Sequence, residues 1–230
     1  MKNIIQCSFG RDSLALVEYL KGQWDESLVL WIDAGGALPE VEAMAEQMQS
    51  RVPHFYRLRT DSNAWINRNG IPSDIVSVWH TVEGAPLAGN TPPLIASSLR
   101  CCFENVMKPM HDFSKAIGAE RIYRGQRNAE KLKSPIRSGA KDGDIEIVFP
   151  LQDWTDEQVD AYLAEKGIDL PEWYADGDKG FDCWWCTGYQ AESKGLHKYL
   201  EKHHPEKWAI VAERMDAAKR IVIKELENGF

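Results

Sequence analysis

Short unbroken apolar runs alternate with stretches of helical period over the first 60 residues. Asn3-Ile4-Ile5-Gln6-Cys7 predicts a strand, and Leu14, Leu16, Val17 and Leu20 fall on one face of a helix starting near Ser13. Leu28-Val29-Leu30-Trp31-Ile32 predicts a second buried strand, ending in turn chemistry at Asp33-Ala34-Gly35-Gly36. Pro39 suits the first position of a helix whose apolar positions are Val41, Met44, Ala45 and Met48. His54-Phe55-Tyr56-Arg57-Leu58 predicts a third strand. Strand–helix alternation of this kind implies an α/β fold: a three-layer, Rossmann-like parallel sheet with right-handed crossovers.

The pattern weakens over residues 60–100, where Pro72, Gly84, Pro86, Gly89, Pro92 and Pro93 interrupt it; a mobile or substrate-covering segment is expected there. A helix is expected from about Phe103 to Ala116, then strands at Arg121–Gly125 and Ile145–Phe149. Thr155 reads as the cap of a helix with Asp156 and Glu157 in its first turn. Residues 167–190 form a Gly- and Trp-rich loop. A closing amphipathic helix carries Trp208, Val211, Met215, Ala218, Val222 and Leu226 on one stripe, read first as packing on the domain and second as a homodimer seam. The expected division is a nucleotide-binding domain over 1–190, including the cysteine loop, and a C-terminal helical extension over 191–230.

Composition narrows the class. The chain of 230 residues can bury a core without disulfide staples, and 43% hydrophobic with 27% charged residues is ordinary globular usage. There is no apolar run long enough for a membrane span and no signal-like start, so a cytoplasmic protein is expected. A net charge of −8 disfavours non-specific binding to nucleic acid, leaving nucleic acid as a modified substrate at most. Against that background, residues 121–141 carry Arg121, Arg124, Arg127, Lys131, Lys133, Arg137 and Lys141 with Glu130 as the sole acid. This basic stretch reads either as a solvated loop or as a local anion site.

Four segments carry candidate chemistry. Ser8-Phe9-Gly10-Arg11-Asp12-Ser13 lies between the first strand and the first helix, where backbone N–H groups and hydroxyls can cradle phosphate. No Gly-Lys-Ser/Thr follows, so it is not a Walker loop. Asp33 and Gly35 end the second strand, a place suited to contacts with a nucleoside. Gly125-Gln126-Arg127-Asn128-Ala129-Glu130 sets a guanidinium at the mouth of the sheet, with Glu130 able to orient Arg127 or Lys131. The five cysteines are an odd count, which is not a disulfide framework. Cys101-Cys102 and Cys183-Trp184-Trp185-Cys186 form two pairs that read as soft-metal ligands. Zinc sites usually use spaced pairs, whereas a cubane gives each cysteine its own iron and tolerates neighbours. A 4Fe-4S cluster is therefore the expected occupant, with zinc second and metal-free cysteines third; Phe181, Trp184 and Trp185 are candidates to shield it.

Taken together, these segments resemble the phosphoadenosine phosphosulfate (PAPS) reductase family, within the PP-loop adenine nucleotide alpha-hydrolase-like superfamily, over residues 3–190. Ser8–Ser13 resembles the PP-loop. Asp33-Ala34-Gly35 with Leu38-Pro39-Glu40 resembles D-T-G…P-E, and Cys101-Cys102 with Pro109 resembles C-C-x6-P. Gly125-x-Arg127-x-x-Glu130 resembles G-x-R-x-x-E-S, with Lys131 in place of serine. Pro150-Leu151-x-x-Trp154-Thr155, with Val159 and Tyr162, and Cys183-x-x-Cys186-Thr187 match the closing motifs. The resemblance implies a 4Fe-4S cluster on Cys101, Cys102, Cys183 and Cys186, as in reductases of adenylylsulfate (APS). It also implies phosphate contacts from Ser8, Phe9, Gly10, Asp12 and Ser13, and nucleotide contacts from Asp33, Gly35, Gly125 and Glu130. Arg11, Arg127 and Lys131 are the expected catalytic cations.

The sequence also departs from that family. Its reductases attack sulfur with a cysteine in E-C-G-L-H; here Lys194 precedes Gly195-Leu196-His197, and no cysteine follows Cys186. Lysine does not replace a thiolate in sulfur transfer. The remaining thiol, Cys7, reads mainly as a small buried strand residue. The loop ends Asp12-Ser13, as in ATP pyrophosphatase members. The expected function is accordingly an adenine-nucleotide enzyme that splits ATP at the α-phosphate, with Mg2+, to activate an acceptor for sulfur transfer. The alternatives are an APS or PAPS reductase using a thiol in trans or Cys7, a non-catalytic nucleotide or cluster sensor, and a zinc-stapled scaffold. A sulfur donor or thiol reductant protein is the expected partner.

Overall fold

A computed structural model of the chain describes residues 1–130, 133–175 and 183–229, without the side chains of the last two. Its strands are β1 (Asn3–Gln6), β2 (Ser27–Asp33), β3 (Phe55–Arg59), β4 (Ile71–Ser73), β5 (Ile95–Ser97), β6 (Arg121–Tyr123), β7 (Ala140–Asp142) and β8 (Ile145–Val148). Its α-helices are α1 (Arg11–Tyr19), α2 (Pro39–Arg51), α3 (Ser62–Asn69), α4 (Ala85–Ala88), α5 (Ser98–Cys102), α6 (Lys108–Ala116), α7 (Asp156–Glu165), α8 (Lys194–His203) and α9 (Pro205–Gly229). A π-helical turn, Phe103–Met107, joins α5 to α6. Among the described residues no helix is long and apolar enough to cross a membrane.

The chain divides into two compact units. The described residues of the first lie within Met1–Arg59 and Pro109–Pro171; those of the second within Thr60–Lys108, 172–175 and 183–229. The middle segment and the C-terminal helices thus share one unit, a grouping drawn along different lines from a boundary at residue 190.

The first unit is a six-stranded sheet in the order β3-β2-β1-β6-β8-β7, parallel except for β7 on β8. Consecutive residues of β1 and β2 are buried, Ile4 and Ile5 at 0% exposure, so both faces of the sheet are covered. β3 is one edge, and its exposed Tyr56 stacks on Phe113 with centroids 4.8 Å apart. The strand order reverses between β1 and β6. In open parallel sheets the crevice for a ligand opens beyond the carboxyl ends of strands at such a reversal. The loops leaving β1 and β6 here are the two that carry Ser8–Ser13 and Gly125–Glu130.

α7 is held at its start by a complete capping box: Thr155 Oγ1 accepts the Gln158 amide, and the Gln158 side chain accepts the Thr155 amide. Asp156 is thereby fixed as the first residue of that helix.

Within the second unit, residues 60–100, where a mobile or substrate-covering segment is expected, hold regular elements. Ile71–Ser73 and Ile95–Ser97 pair in parallel as a two-stranded sheet, preceded by α3, whose N-cap Asp61 accepts the Ala64 amide. Three-residue strands, one containing Pro72, give no readable alternation. The closing helix packs on this sheet: Ala217, Ala218 and Ile221 cluster with Ile71 and Ile95, and Val222 lies against them. Leu226, the far end of the expected stripe, stays exposed. The helix carrying Cys101 and Cys102 begins at Ser98, before the pair, and not at Phe103.

Candidate functional site

In the first unit, no side chain caps the N-terminus of α1. Ser13 Oγ instead accepts the Ser8 amide at 3.1 Å and donates to the Gly10 carbonyl at 2.9 Å, closing the loop on itself. Phe9 sits at φ 58, a costly conformation for a side-chain-bearing residue. Its ring is 1% exposed and meets Trp31 edge-on at 5.0 Å, which anchors that conformation. Phe9 thus shapes the loop through its backbone while its side chain belongs to the core. Gly125 approaches so closely that a Cβ there would lie 2.9 Å from the Asp12 carbonyl oxygen. Only a glycine lets the β6 loop pass the first turn of α1.

Arg127 is the centre of this arrangement. Although 2% exposed, it donates from Nη2 to Asp12 Oδ2 at 3.2 Å and to Asp156 Oδ1 at 2.6 Å, and from Nη1 to the Trp154 carbonyl at 3.1 Å. Arg11 Nη2 meets the same Asp156 oxygen at 2.5 Å and Arg11 Nη1 reaches Asp160 at 3.5 Å. Burial alone would lower the Arg127 pKa; the Asp156 and Asp12 carboxylates more than offset it and hold the guanidinium above its ordinary value. The Asp156 carboxyl is correspondingly lowered, chiefly by the Arg127 hydrogen bond. Glu130 accepts the Arg127 amide at 2.7 Å, and burial, aided by the charge of Asp12, pushes its carboxyl up. Beside Arg127 opens a cavity of about 540 Å³, lined among others by Asn128, Lys133, Ser134, Arg137 and Gln152. The basic stretch therefore borders a cavity. Lys131 lies outside the described residues, as does Phe181.

Asp33 is engaged within its own turn. Its Oδ1 accepts the Gly36 amide at 2.9 Å and the Gly35 amide at 3.3 Å, and its Oδ2 accepts two donors of Arg57 at 2.7 and 3.0 Å. Burial raises the carboxyl, but those four bonds outweigh it and leave the pKa below the ordinary value. Gly35 holds φ 137, which the turn requires of it. Arg57 also bridges to Glu42 and stacks over Trp31 at 4.4 Å. Cys7 is 1% exposed, and burial pushes its thiol up to about 11, which favours the neutral form.

The cysteine pairs both lie in the second unit. None of the five cysteines is in a disulfide. Burial, and then the neighbouring Cys102 and Cys186, push the Cys101 thiol up to about 12. Asn105 Nδ2 lies 3.6 Å from Cys101 Sγ, and the Tyr189 hydroxyl donates to Cys102 Sγ at 3.6 Å. Cys186 Sγ lies 3.5 Å from the Gly188 carbonyl. Among the described residues no group of three or more His, Cys, Asp or Glu side chains is gathered tightly enough to grip a metal ion. As a donor set, four cysteine thiols have the chemistry that soft metals and iron–sulfur clusters take. Trp185 is buried and packs edge-on to Trp184. The Gly195-Leu196-His197 tract lies inside α8, with Leu196 2% exposed and the His197 ring tilted against Trp208, centroids 5.3 Å apart.

The structure adds three residues that no motif singled out as functional. Asp156 was legible only as a first-turn acid, Arg57 only as a strand residue, and Asp74 carried no signal at all.

Comparison with known proteins gives the following. A family model described as the phosphoadenosine phosphosulfate reductase domain matches residues 2–189. The adenosine 5'-phosphosulfate reductase of Deinococcus radiodurans is 25% identical over 187 residues, covering 80% of this chain and 66% of that protein. The chain thus spans just under two thirds of that relative's length. A crystal structure of PAPS reductase from Candida auris, a phosphate complex, superimposes with a TM-score of 0.49 at 16% identity, over 76% of this chain and 77% of that one. A U34-tRNA thiolase from Methanococcus maripaludis with its 4Fe-4S cluster gives a TM-score of 0.46 at 12% identity, over 96% of this chain and 71% of that one.

Proposed function

The chain belongs to the phosphoadenosine phosphosulfate reductase family, in the PP-loop superfamily, and from that premise we propose that it binds an adenine nucleotide at Ser8–Ser13 and splits ATP at the α-phosphate. An oxygen of the acceptor attacks the α-phosphorus, the α–β phosphoanhydride breaks, and pyrophosphate leaves. A sulfide-level donor then displaces AMP from the adenylated acceptor, so that sulfur replaces the oxygen carried away with AMP. The acceptor is a small molecule or a nucleic acid.

The observation that carries this reading is the set of carboxylates among the guanidiniums. Asp12 and Asp156 occupy Arg127, and Asp156 also occupies Arg11. A bare oxyanion entering there must displace a carboxylate. A polyphosphate that arrives with Mg2+ brings the cation those carboxylates can take, freeing Arg11 and Arg127 for developing phosphate charge. Ser8, Gly10 and Ser13 supply the loop donors, Phe9 its shape, and Gly125 and Glu130 position Arg127. Asp33 and Gly35 form the turn that borders the nucleoside. Lys131 is kept as a third cation.

The resemblance, together with the donor chemistry of the second unit, supports a 4Fe-4S cluster on Cys101, Cys102, Cys183 and Cys186, with zinc as the less favoured occupant. When bound, such a cluster supplies a charge-stabilising or electron-carrying centre.

The relative's name favours a second reading, reduction of APS or PAPS. There, two thiols supplied in trans would give AMP, or adenosine bisphosphate, with sulfite and a disulfide. Lys194 in place of a cysteine, the packed Leu196 beside it and the buried Cys7 thiol weigh against a nucleophile from this chain.

Nucleotide titration separates the two. ATP is expected to bind at least tenfold more tightly with Mg2+ than without, whereas APS is expected to be indifferent to it. Equal ATP affinity in both conditions, with tight APS or PAPS binding, would replace the first reading by the second.

A further inference from the structure

The two cysteine pairs of the second unit come from segments 80 residues apart in the chain. Three contacts bring their segments together. Asp74 follows β4; its Oδ1 accepts the Tyr189 amide at 2.7 Å and the Ser98 hydroxyl at 3.0 Å, and its Oδ2 accepts the Gln190 amide at 3.0 Å. Ser98 is the first residue of α5, the helix that carries Cys101 and Cys102. The Thr187 hydroxyl donates to the Pro72 carbonyl, on the strand that Asp74 ends. Gly188 lies so near α5 that a Cβ there would stand 2.4 Å from Ser98 Cβ and 3.2 Å from Asp74 Oδ1.

One carboxylate therefore joins the end of β4, the start of α5 and the turn just after Cys186. Bonds to an ionised acceptor are about twice as strong as neutral ones, and this acceptor takes three donors from two segments. The same turn holds Tyr189 at φ 54. A non-glycine residue stays in that region only where its surroundings over-determine it, and here the Tyr189 amide is bound to Asp74 while its hydroxyl meets Cys102 Sγ at 3.6 Å.

We propose that Asp74 is a positioning residue for the cysteine site: it fixes the 187–190 turn on α5 and thereby aims the Tyr189 hydroxyl at Cys102 Sγ, where the hydrogen bond tunes that sulfur as a metal ligand. This rests on the reading of the four cysteines as cluster ligands. Partners that orient ligands in this way commonly change metal affinity by about 10–100-fold when removed.

The test compares the full-length wild type with Asp74→Asn, Asp74→Ala and Tyr189→Phe, each loaded anaerobically with iron and sulfide and checked for fold by circular dichroism. Iron per chain, the rate of iron loss to excess chelator, and the Fe–S stretching bands in resonance Raman in H2O and D2O are read. Tyr189→Phe should keep its iron, lose it several-fold faster to chelator, and lose the deuterium shift of the bands. Asp74→Asn should lose iron about tenfold faster and lose the same shift, because the turn no longer aims the hydroxyl. If Asp74→Ala does not fold, Asp74→Asn decides alone. Wild-type iron retention together with an intact deuterium shift in Asp74→Asn would overturn the role of Asp74; unchanged bands in Tyr189→Phe would overturn that of Tyr189. If the wild type itself takes up no iron, the cluster reading fails and Asp74 is judged by cross-linking the full chain with dibromobimane. A Cys102–Cys186 product that falls several-fold in Asp74→Asn supports the positioning role, and equal yields overturn it.

Discussion

In the first unit Arg127, almost wholly buried, is gripped by the side chains of Asp12 and Asp156, and Asp33 is gripped by Arg57. In the second unit the cysteine segments are tied by uncharged donors: two amides and a hydroxyl on Asp74, a threonine hydroxyl on a carbonyl, and a glycine packed against a serine. The first site stores charge already compensated, so a ligand has to exchange partners with it. The second sets cysteine sulfurs near one another, with Cys102 and Cys186 among the groups that raise the Cys101 thiol after burial. The first joint is made of charges that cancel one another, the second of hydrogen bonds around a single carboxylate.

The largest expected effect falls on the second unit. Cys102→Ser should remove iron from the anaerobically loaded protein, read as iron per chain; full iron retention would take Cys102 out of the ligand set. In the first unit, Arg127→Ala leaves Asp12 and Asp156 facing each other. Removing one partner of a buried ion pair costs about 3–5 kcal/mol, and about 3 kcal/mol is expected here because Asp156 is half exposed. Urea unfolding measures it, and a loss under 1 kcal/mol would mean that the compensation is not structural. The same variant should weaken nucleotide binding.

Asp33→Asn should cost about 2 kcal/mol at neutral pH, since hydrogen bonds to a charged group carry about 1.5–3 kcal/mol. The native carboxyl lies below its ordinary value of 3.8, so its contribution is fully present above that pH and is lost as the pH falls through the native value. Unfolding curves of wild type and variant should differ by a constant amount from neutrality down to about pH 5 and converge in stronger acid. A difference that does not change with pH would remove the ion pair with Arg57 from the account. Gly188→Ala should cost about 1–3 kcal/mol through overpacking against Ser98 and speed iron loss, while Gly22→Ala, with nothing within 4 Å of its new Cβ, should leave iron retention unchanged. Equal effects of the two would contradict the tight joint at Gly188.

The parallel sheet was legible because buried strands such as Leu28–Ile32 are unbroken apolar runs separated by helical stripes. The small sheet of β4 and β5 was not, because its strands span three residues each and pair across a loop interrupted by Pro86, Pro92 and Pro93. The Ser8–Ser13 loop and the cysteine pairs announce themselves by spacing. The partners that hold them do not: Arg57 lies 24 residues from Asp33, Asp156 lies 29 from Arg127, and Asp74 lies 115 from Tyr189. In a chain with 27 basic and 35 acidic residues, composition cannot say which charges meet. Asp33 shows what spacing leaves out, since the strand-end carboxylate is visible in the sequence while the four donors that hold it are not.

The central claim, cleavage of ATP at the α-phosphate, is met most directly by incubating the anaerobic, iron-loaded protein with ATP, APS and PAPS separately. Each reaction contains Mg2+, a sulfide donor and a thiol reductant, water stands in for the acceptor oxygen at the α-phosphorus, and the nucleotides are resolved by chromatography. AMP and pyrophosphate from ATP, with APS and PAPS left intact, is the result expected. Intact ATP, together with sulfite and AMP from APS or sulfite and adenosine bisphosphate from PAPS, would contradict it and make the chain a reductase that borrows its thiol.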